Sequence, residues 1–482
     1  MSKPSHDQHT MLDRRSFLRR SGALSLGAMT APWLMNLAGM AQAAAAQSAA
    51  SDGYKALVCV FLQGGNDQGN TVIPVDEADY KLYTSLRGAL ALPRGSKLTD
   101  NLLLPIDTPP AGTPALSLAP ALTQLAPLFN QQRRLAVLLN IGPLHQPTTK
   151  TQFLTRAAGV DLPDKLFSHN DQQSVWQSYA PEGSTVGWGG LIGDAGLASN
   201  AIASLTCVNL SGNAVYLAGK QIGQFMVNRH GPAPLLANDA ANLFGSQDCV
   251  TAFKALVSTQ EPTVHRLAKE HSAIMRRAMS TNSVLIDQLA NVTTPAVHID
   301  ESNVLATQLN TAARIIAAHA QLGAGGLKRQ VFLVSLGGFD THDNLSSRHP
   351  DLLGKLADAL SQFDTDLVAM GMQDQVTTFT ASDFGRTLTS NGDGSDHGWG
   401  SHHFVMGGAV KGGRFYGSWP DVTGFDDGEH NIGQGRLLPT MSVDHLAAAL
   451  AGWMGVTDPL ALQQIAPHLK AFPTASPLAN LF

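Results

Sequence analysis

The sequence predicts an α/β protein, a three-layer sandwich built on a mostly parallel sheet. Three observations carry that prediction. Short apolar runs recur along the chain without alternation, segments with helical spacing separate them, and turns rich in Asp, Asn and Gly follow the runs. Strands covered on both faces lose the in–out alternation of a one-sided sheet. Strands separated by helices favour parallel pairing through crossovers.

Taken in order, the strand-like runs are residues 55–62 (KALVCVFL), 134–141 (RLAVLLNI), 203–209 (ASLTCVN), 329–336 (RQVFLVSL), 375–381 (QVTTFTA) and 403–410 (HFVMGGAV). Helical spacing is clearest over 303–322, 351–371 and 443–455. The stretch from about 210 to 300 is more polar, holds few strand-like runs and includes a helical segment at 262–291. It is expected to form an insertion or cap beside the main sheet. No internal repeat is evident.

The first 45 residues read as a leader, leaving 46–482 as the α/β domain. LDRRSFLRR (12–20) places Arg14 and Arg15 before Ser16, Phe17 and Leu18, and a weakly apolar run extends from Gly22 to Ala38. Ala41-Gln42-Ala43 then fits a small-x-small cleavage site. Paired arginines favour the twin-arginine route, which moves folded cargo, so the mature chain is expected in the periplasm or outside the cell after engaging the twin-arginine translocase.

Composition excludes some classes. Lys and Arg total 32 against 37 Asp and Glu, a net charge of −5, with no basic block in the mature chain, which argues against nucleic-acid binding. No second apolar stretch reaches the length of a membrane span. Of three cysteines, Cys59 lies in an apolar run and reads as core; Cys207 and Cys249 are candidates for a disulfide, which spacing alone leaves open. No dinucleotide fingerprint, haem motif or copper-type Cys/His cluster appears.

In an open α/β sheet, ligands gather at the carboxyl ends of the strands. The residues there are uniform in kind. GGNDQGN supplies Asn66 and Asp67, GGFDTHDN supplies Asp340 and His342, SDFGR supplies Asp383 and Arg386, and SDHGWGSHH supplies Asp396, His397 and His402. Carboxylates crowded at one edge repel unless a cation joins them. Asp mixed with His suits a divalent ion of intermediate hardness, zinc or manganese rather than calcium or magnesium. Each residue alone is also a common turn or cap residue; the set is what points to a site. Arg386 is placed to bind an anionic group, or to pair with a local carboxylate. LFSHNDQQSVWQ (166–177) reads as a helix start in which Ser168 is a cap or a nucleophile. His145, His230, His265, His271, His298 and His319 lack ligand-type neighbours in sequence and read as core or surface residues.

These segments together resemble the bacterial family known as domain of unknown function 1501, grouped with the alkaline phosphatase and sulfatase clan. The resemblance rests on the twin-arginine leader, LQGGNDQGNTVIP (62–74), LFSHNDQQ (166–173), GGFDTHDN (337–344), SDFGRTL (382–388), DHGWGSHHFVMGG (396–408) and LPTMSVDHLAAALAGWMGV (438–456). It implies an alkaline phosphatase-like sheet with metal ligands at its strand ends and a nucleophile at a helix start. Asp67 would match the first-strand aspartate, Ser168 the nucleophile, and Asp340 with His342 the ligands after the middle strand. Asp383 would match the aspartate of an Asp-His pair, and His397 or His402 the late histidine. Two departures stand out: Phe384 follows Asp383 where that pair expects histidine, and Asn344 stands four residues beyond Asp340. In place of a full two-ion site, the departures leave one ion or an inactive remnant as the expectation. The implied function is an exported metal-dependent hydrolase of a small phosphate or sulfate ester, with Asn66 and His402 as candidate substrate contacts. The alternative is a non-catalytic binding or assembly protein that keeps the fold.

Overall fold

A computed structural model describes residues 53–95, 103–106, 112–212, 214–233, 243–258, 265–292 and 300–482. The leader and its cleavage site lie outside them. In chain order the strands are β1 (Lys55–Gln63), β2 (Val72–Pro74), β3 (Leu104–Ile106), β4 (Leu116–Leu118), β5 (Leu135–Gly142), β6 (Cys207–Asn209), β7 (Phe225–Met226), β8 (Arg329–Gly337), β9 (Val376–Ser382), β10 (Ser401–Met406), β11 (Arg414–Tyr416) and β12 (Met441–Ser442). Nine of them form one sheet in the order β11-β5-β10-β9-β1-β8-β6-β7, with β12 also on β5; β2, β4 and β3 make a small side sheet.

The expected three layers are present, and β1 shows why its run does not alternate. Ala56, Val58, Val60 and Leu62 face one core, while Leu57, Cys59 and Phe61 face another. The first core is closed by helices Val304–Ala317 and Leu345–Ala369, through residues such as Leu309, Ile316, Leu353 and Leu360. The second is closed by helices His169–Ser178, Trp188–Gly196 and Val443–Trp453, through Trp176, Trp188, Ile192 and Leu450. Both faces of a strand buried in this way must be apolar.

Pairing is parallel throughout the main sheet except at β10, which runs antiparallel to both β9 and β5. Registers Gln63↔Gly337 and Leu62↔Ser382 bring the carboxyl ends of β1, β8 and β9 level. Because β10 is reversed, its beginning shares that rim, with Ser401 opposite Ile141 near the end of β5. A loop that precedes β10 thus meets loops that follow β1, β8 and β9.

Some boundaries differ from the sequence reading. Helix Leu345–Ala369 starts six residues earlier and runs through Pro350. The last long strand ends at Met406, where Gly407 adopts a positive φ of 156°. Between about 210 and 300 the described residues hold the edge strand β7 and helices Gln247–Ser258 and Arg266–Leu289. Cys207 and Cys249 are both free thiols, and Cys207 is buried in β6.

Gly64 lets the rim loops interleave. It has a φ of 115°, and a Cβ there would stand 2.2 Å from the Asp340 nitrogen. Neither the backbone angle nor the space admits a side chain. Gly64→Ala should therefore lower stability by roughly 1–3 kcal/mol and displace the 338–342 loop. Urea denaturation and the amide NMR shifts of that loop would check this.

Candidate metal centre

Asp340, three residues past β8, lies at the middle of the rim cluster. Its Oδ1 is 3.1 Å from Arg386 Nη1, 3.3 Å from His342 Nε2 and 3.4 Å from His397 Nε2; its Oδ2 is 3.3 Å from His169 Nε2. The Nε2 atoms of His342 and His397 are 2.8 Å apart. His169, Asp340 and His397 offer donor atoms that all lie within 4.8 Å of one another.

Each imidazole turns its second nitrogen outward to an acceptor. His169 Nδ1 donates to Asp383 Oδ2 at 2.7 Å, His342 Nδ1 to Asp396 Oδ1 at 3.1 Å, and His397 Nδ1 to the Phe167 carbonyl at 2.7 Å. Carbonyls and ionised carboxylates only accept, so in all three rings Nδ1 carries the hydrogen. When neutral, the rings point bare Nε2 lone pairs inward, at each other and at a carboxylate. His169 Nε2 is buried and has no hydrogen-bond partner. Lone pairs at these distances repel, and only a shared proton or a metal cation relieves them.

The donor set fits a metal. With metal–nitrogen bonds of about 2.0–2.1 Å, tetrahedral donors stand about 3.3–3.4 Å apart. The three Asp340–histidine separations, 3.3–3.4 Å, fall on that value, while His342 and His397 stand closer to each other. Imidazoles held from behind by carboxylates or backbone carbonyls are the usual outer arrangement of a metal site, because the outer bond fixes the tautomer and the ring.

Charge follows the same pattern. The hydrogen bond to Asp383 raises the His169 pKa above the ordinary 6.5. Burial lowers that of His397. Burial works against ionising Asp340, but the Arg386 hydrogen bond and the positive field of His169 outweigh it, so its pKa is held low.

Local structure accounts for each position. Phe167 adopts a φ of 72°, which a bulky residue rarely does, and its carbonyl meets His397. Ser168 follows at the N-cap position, without a side-chain capping bond, and His169 opens the helix. An isolated antiparallel bridge pairs Arg386 with His397. Phe384 is buried with its ring 4.4 Å from that of His397 and 4.9 Å from that of His169, so it backs both imidazoles.

Of the residues expected from sequence, the structure brings Asp340, His342, Asp383, Arg386, Asp396 and His397 together. Two of these stand behind the imidazoles: Asp383, which is fully buried, and Asp396 both accept from a ring Nδ1. Arg386 does not face an open anion site. It is fully buried and donates to the carbonyls of Gly64 and Ser395 as well as to Asp340, tying three loops together. Asp67 is not in the cluster: its carboxylate pairs with buried Arg87 and accepts from the Gly69 nitrogen. Asn66 is consumed by Thr71 and His349, and His402 accepts from the Asn140 nitrogen while stacked on Trp419; neither is open to a substrate. Ser168 does not cap its helix; its Oγ donates to Asp171 Oδ2 at 2.8 Å.

Sequence reasoning missed His169, whose only signal was its place directly after the candidate Ser168. It also read His145 as isolated, whereas His145 Nδ1 lies 3.2 Å from Asp161 and its ring stacks on His468. Those two rings are 4.1 Å apart and within 13° of parallel. Ring lone pairs lie in the ring plane, so near-parallel stacked rings cannot aim both at one ion. The second Asp/His grouping is therefore not a second metal centre in this arrangement.

A mostly parallel sheet covered on both faces, with three imidazoles and a carboxylate converging on its carboxyl rim, defines a three-layer α/β protein with a candidate metal centre. The chain belongs to the family described as protein of unknown function DUF1501, whose model matches residues 54–445. No curated protein matches the sequence significantly. Solved structures with a detectable likeness include PsFucS1 sulfatase from Pseudoalteromonas sp., 10% identical over 89% of this chain and 72% of that one, with a TM-score of 0.36. Ps i-CgsB, solved with k-i-k-neocarrahexaose, is 11% identical over 87% and 77%, TM-score 0.34. The lipoteichoic acid synthase LtaP from Listeria monocytogenes is 9% identical over 86% and 76%, TM-score 0.31. At these scores the likeness supports no functional conclusion.

Two outcomes follow from this geometry. The protein should take up one divalent ion, with affinity that rises with pH as protons leave the imidazoles. Because Asp383 raises the His169 pKa, the loss on acidification should begin above pH 6.5; zinc titration at several pH values, with His169→Ala as control, measures it. Asp67→Ala should leave ion uptake intact but strand Arg87 in the core, at about 3–5 kcal/mol of stability, read by urea denaturation.

Proposed function

We propose that this chain is an exported, metal-dependent hydrolase of phosphate or sulfate esters. One observation carries the proposal: three inward Nε2 atoms, each locked by an outward acceptor, converge with Asp340. Three imidazoles and one carboxylate suit zinc better than magnesium or calcium. A bound ion of that kind polarises an ester oxygen and lowers the pKa of water.

The chain's own residues supply the rest. Arg386 holds the Asp340 carboxylate, and Asp383, Asp396 and the Phe167 carbonyl hold the rings. An open cleft of about 490 Å³ lies over His342, Asp396 and His397, walled by Phe153, Phe167, Ile432 and Arg436. Arg436 donates its Nε to the His397 carbonyl and lies 5.6 Å over the Phe167 ring. Its terminal Nη groups have no hydrogen-bond partner among the described residues, so Arg436, rather than Arg386, is positioned to hold anionic oxygens. Ser168 stands between Phe167 and His169, and its hydroxyl donates to Asp171 Oδ2.

The reading extends to location. The leader at 1–45 supports export by the twin-arginine route to the periplasm or beyond. No helix among the described residues is long and apolar enough to cross a membrane.

The rival, a non-catalytic binding or assembly protein, drew on Phe384 in place of a ligand. Imidazole from His169 answers that point, because it meets Asp383 from another element. Zinc-loaded protein should hydrolyse p-nitrophenyl phosphate or p-nitrophenyl sulfate. Asp340→Ala and His169→Ala should each lose about 100-fold or more, and Asp383→Ala about 10–100-fold. Arg436→Ala should act mainly through KM. Full ion occupancy with no turnover of either ester would establish the rival instead.

A further inference from the structure

A second cavity, of about 510 Å³, is lined in part by helix His169–Ser178, through Asn170, Gln173, Ser174 and Gln177. Its lining is neutral and rich in amides and hydroxyls, including Gln63, Asn170, Gln173, Gln177, Thr185 and Ser211; Glu182 is the one charged side chain among the lining residues. The cavity adjoins the cluster. Gln173 Nε2 donates to Asp383 Oδ2 at 2.9 Å, the oxygen that also holds His169, and Asn170 follows His169 directly. Gln63 ends β1 beside Gly64, whose nitrogen donates to Asp383 Oδ1.

Much of the hydrogen-bonding capacity there is unspent. Among the described residues, the side chains of Gln63 and Asn170 make no hydrogen bond, Gln173 uses only Nε2, and Gln177 uses only Oε1, which accepts from the Tyr216 nitrogen at 3.0 Å. A primary amide offers donors and acceptors together, as a hydroxyl does. An anionic ligand would be repelled by Glu182 and would meet no positive side chain among the lining residues. A flat aromatic ligand would find no exposed ring to stack on.

We propose that this cavity binds a neutral, hydroxyl-rich group of the saccharide class, the alcohol side of the ester that the adjoining cluster cleaves. The assignment rests on the hydrolase reading for its place in a reaction, but binding itself does not depend on it. The cleft by Arg436 takes the anionic end and the amide-lined cavity takes the polyol. With hydrogen bonds and no aromatic platform, affinity is modest.

The test uses chelator-stripped protein and short neutral oligosaccharides of glucose, galactose, mannose and xylose, followed by saturation-transfer NMR and calorimetry. At least one should bind with a Kd on the order of 1 mM. Gln63→Leu, Asn170→Leu and Thr185→Val, all at exposed positions, should each weaken it about fivefold with unchanged melting temperatures. Failure of every saccharide to bind, binding indifferent to all three substitutions, or occupation of the cavity only by nucleosides, peptides or charged ligands would overturn the proposal. Saccharide binding without ester turnover removes the hydrolase reading and keeps the cavity; turnover of small aryl esters without saccharide binding does the reverse.

Discussion

Nitrogen lone pairs facing one another at 2.8 Å are the constraint on which the rim depends. A shared proton or a metal cation is what relieves them. The outward hydrogen bonds prevent the rings from flipping, so the positive charge has to come from the centre. This differs from the buried Asp67–Arg87 pair a short way along the chain, where the cation is a side chain and the carboxylate is closed to anything else. Both begin with an aspartate after a strand, yet only the open arrangement retains a chemical appetite.

Sheet topology makes that convergence possible. Three parallel strands deliver their following loops to one edge, as α/β sheets generally do. The reversal of β10 adds a loop from the other direction, and the helix beginning at His169 closes the ring from above the sheet's second face. Arg386 then binds these loops through their backbone carbonyls, which explains why it is fully buried.

Much of this was legible in the sequence. Apolar runs without alternation revealed a doubly covered sheet, because two separate cores each claim alternate residues of the same strand. The strand-end rule found Asp340, His342, Asp383, Asp396 and His397. It could not rank them, since whether a carboxylate touches an ion or stands behind an imidazole depends on distances of a few ångströms set by loop conformation. It also promoted Asp67, because the pairing with Arg87 is made across twenty residues of intervening chain. His169 escaped because it follows no strand; its role depends on a left-handed backbone at Phe167, a conformation that an aromatic side chain gives no hint of. Phe384 read as a lost ligand, whereas it serves as the wall against which two imidazoles rest.

Among the three outward acceptors, one differs in kind. His169 and His342 lean on carboxylates, which a single codon change can shorten, lengthen or neutralise; His397 leans on a peptide oxygen that every residue possesses. Divergence within such a lineage can therefore retune the basicity of two corners independently, while the third stays anchored whatever side chain occupies position 167.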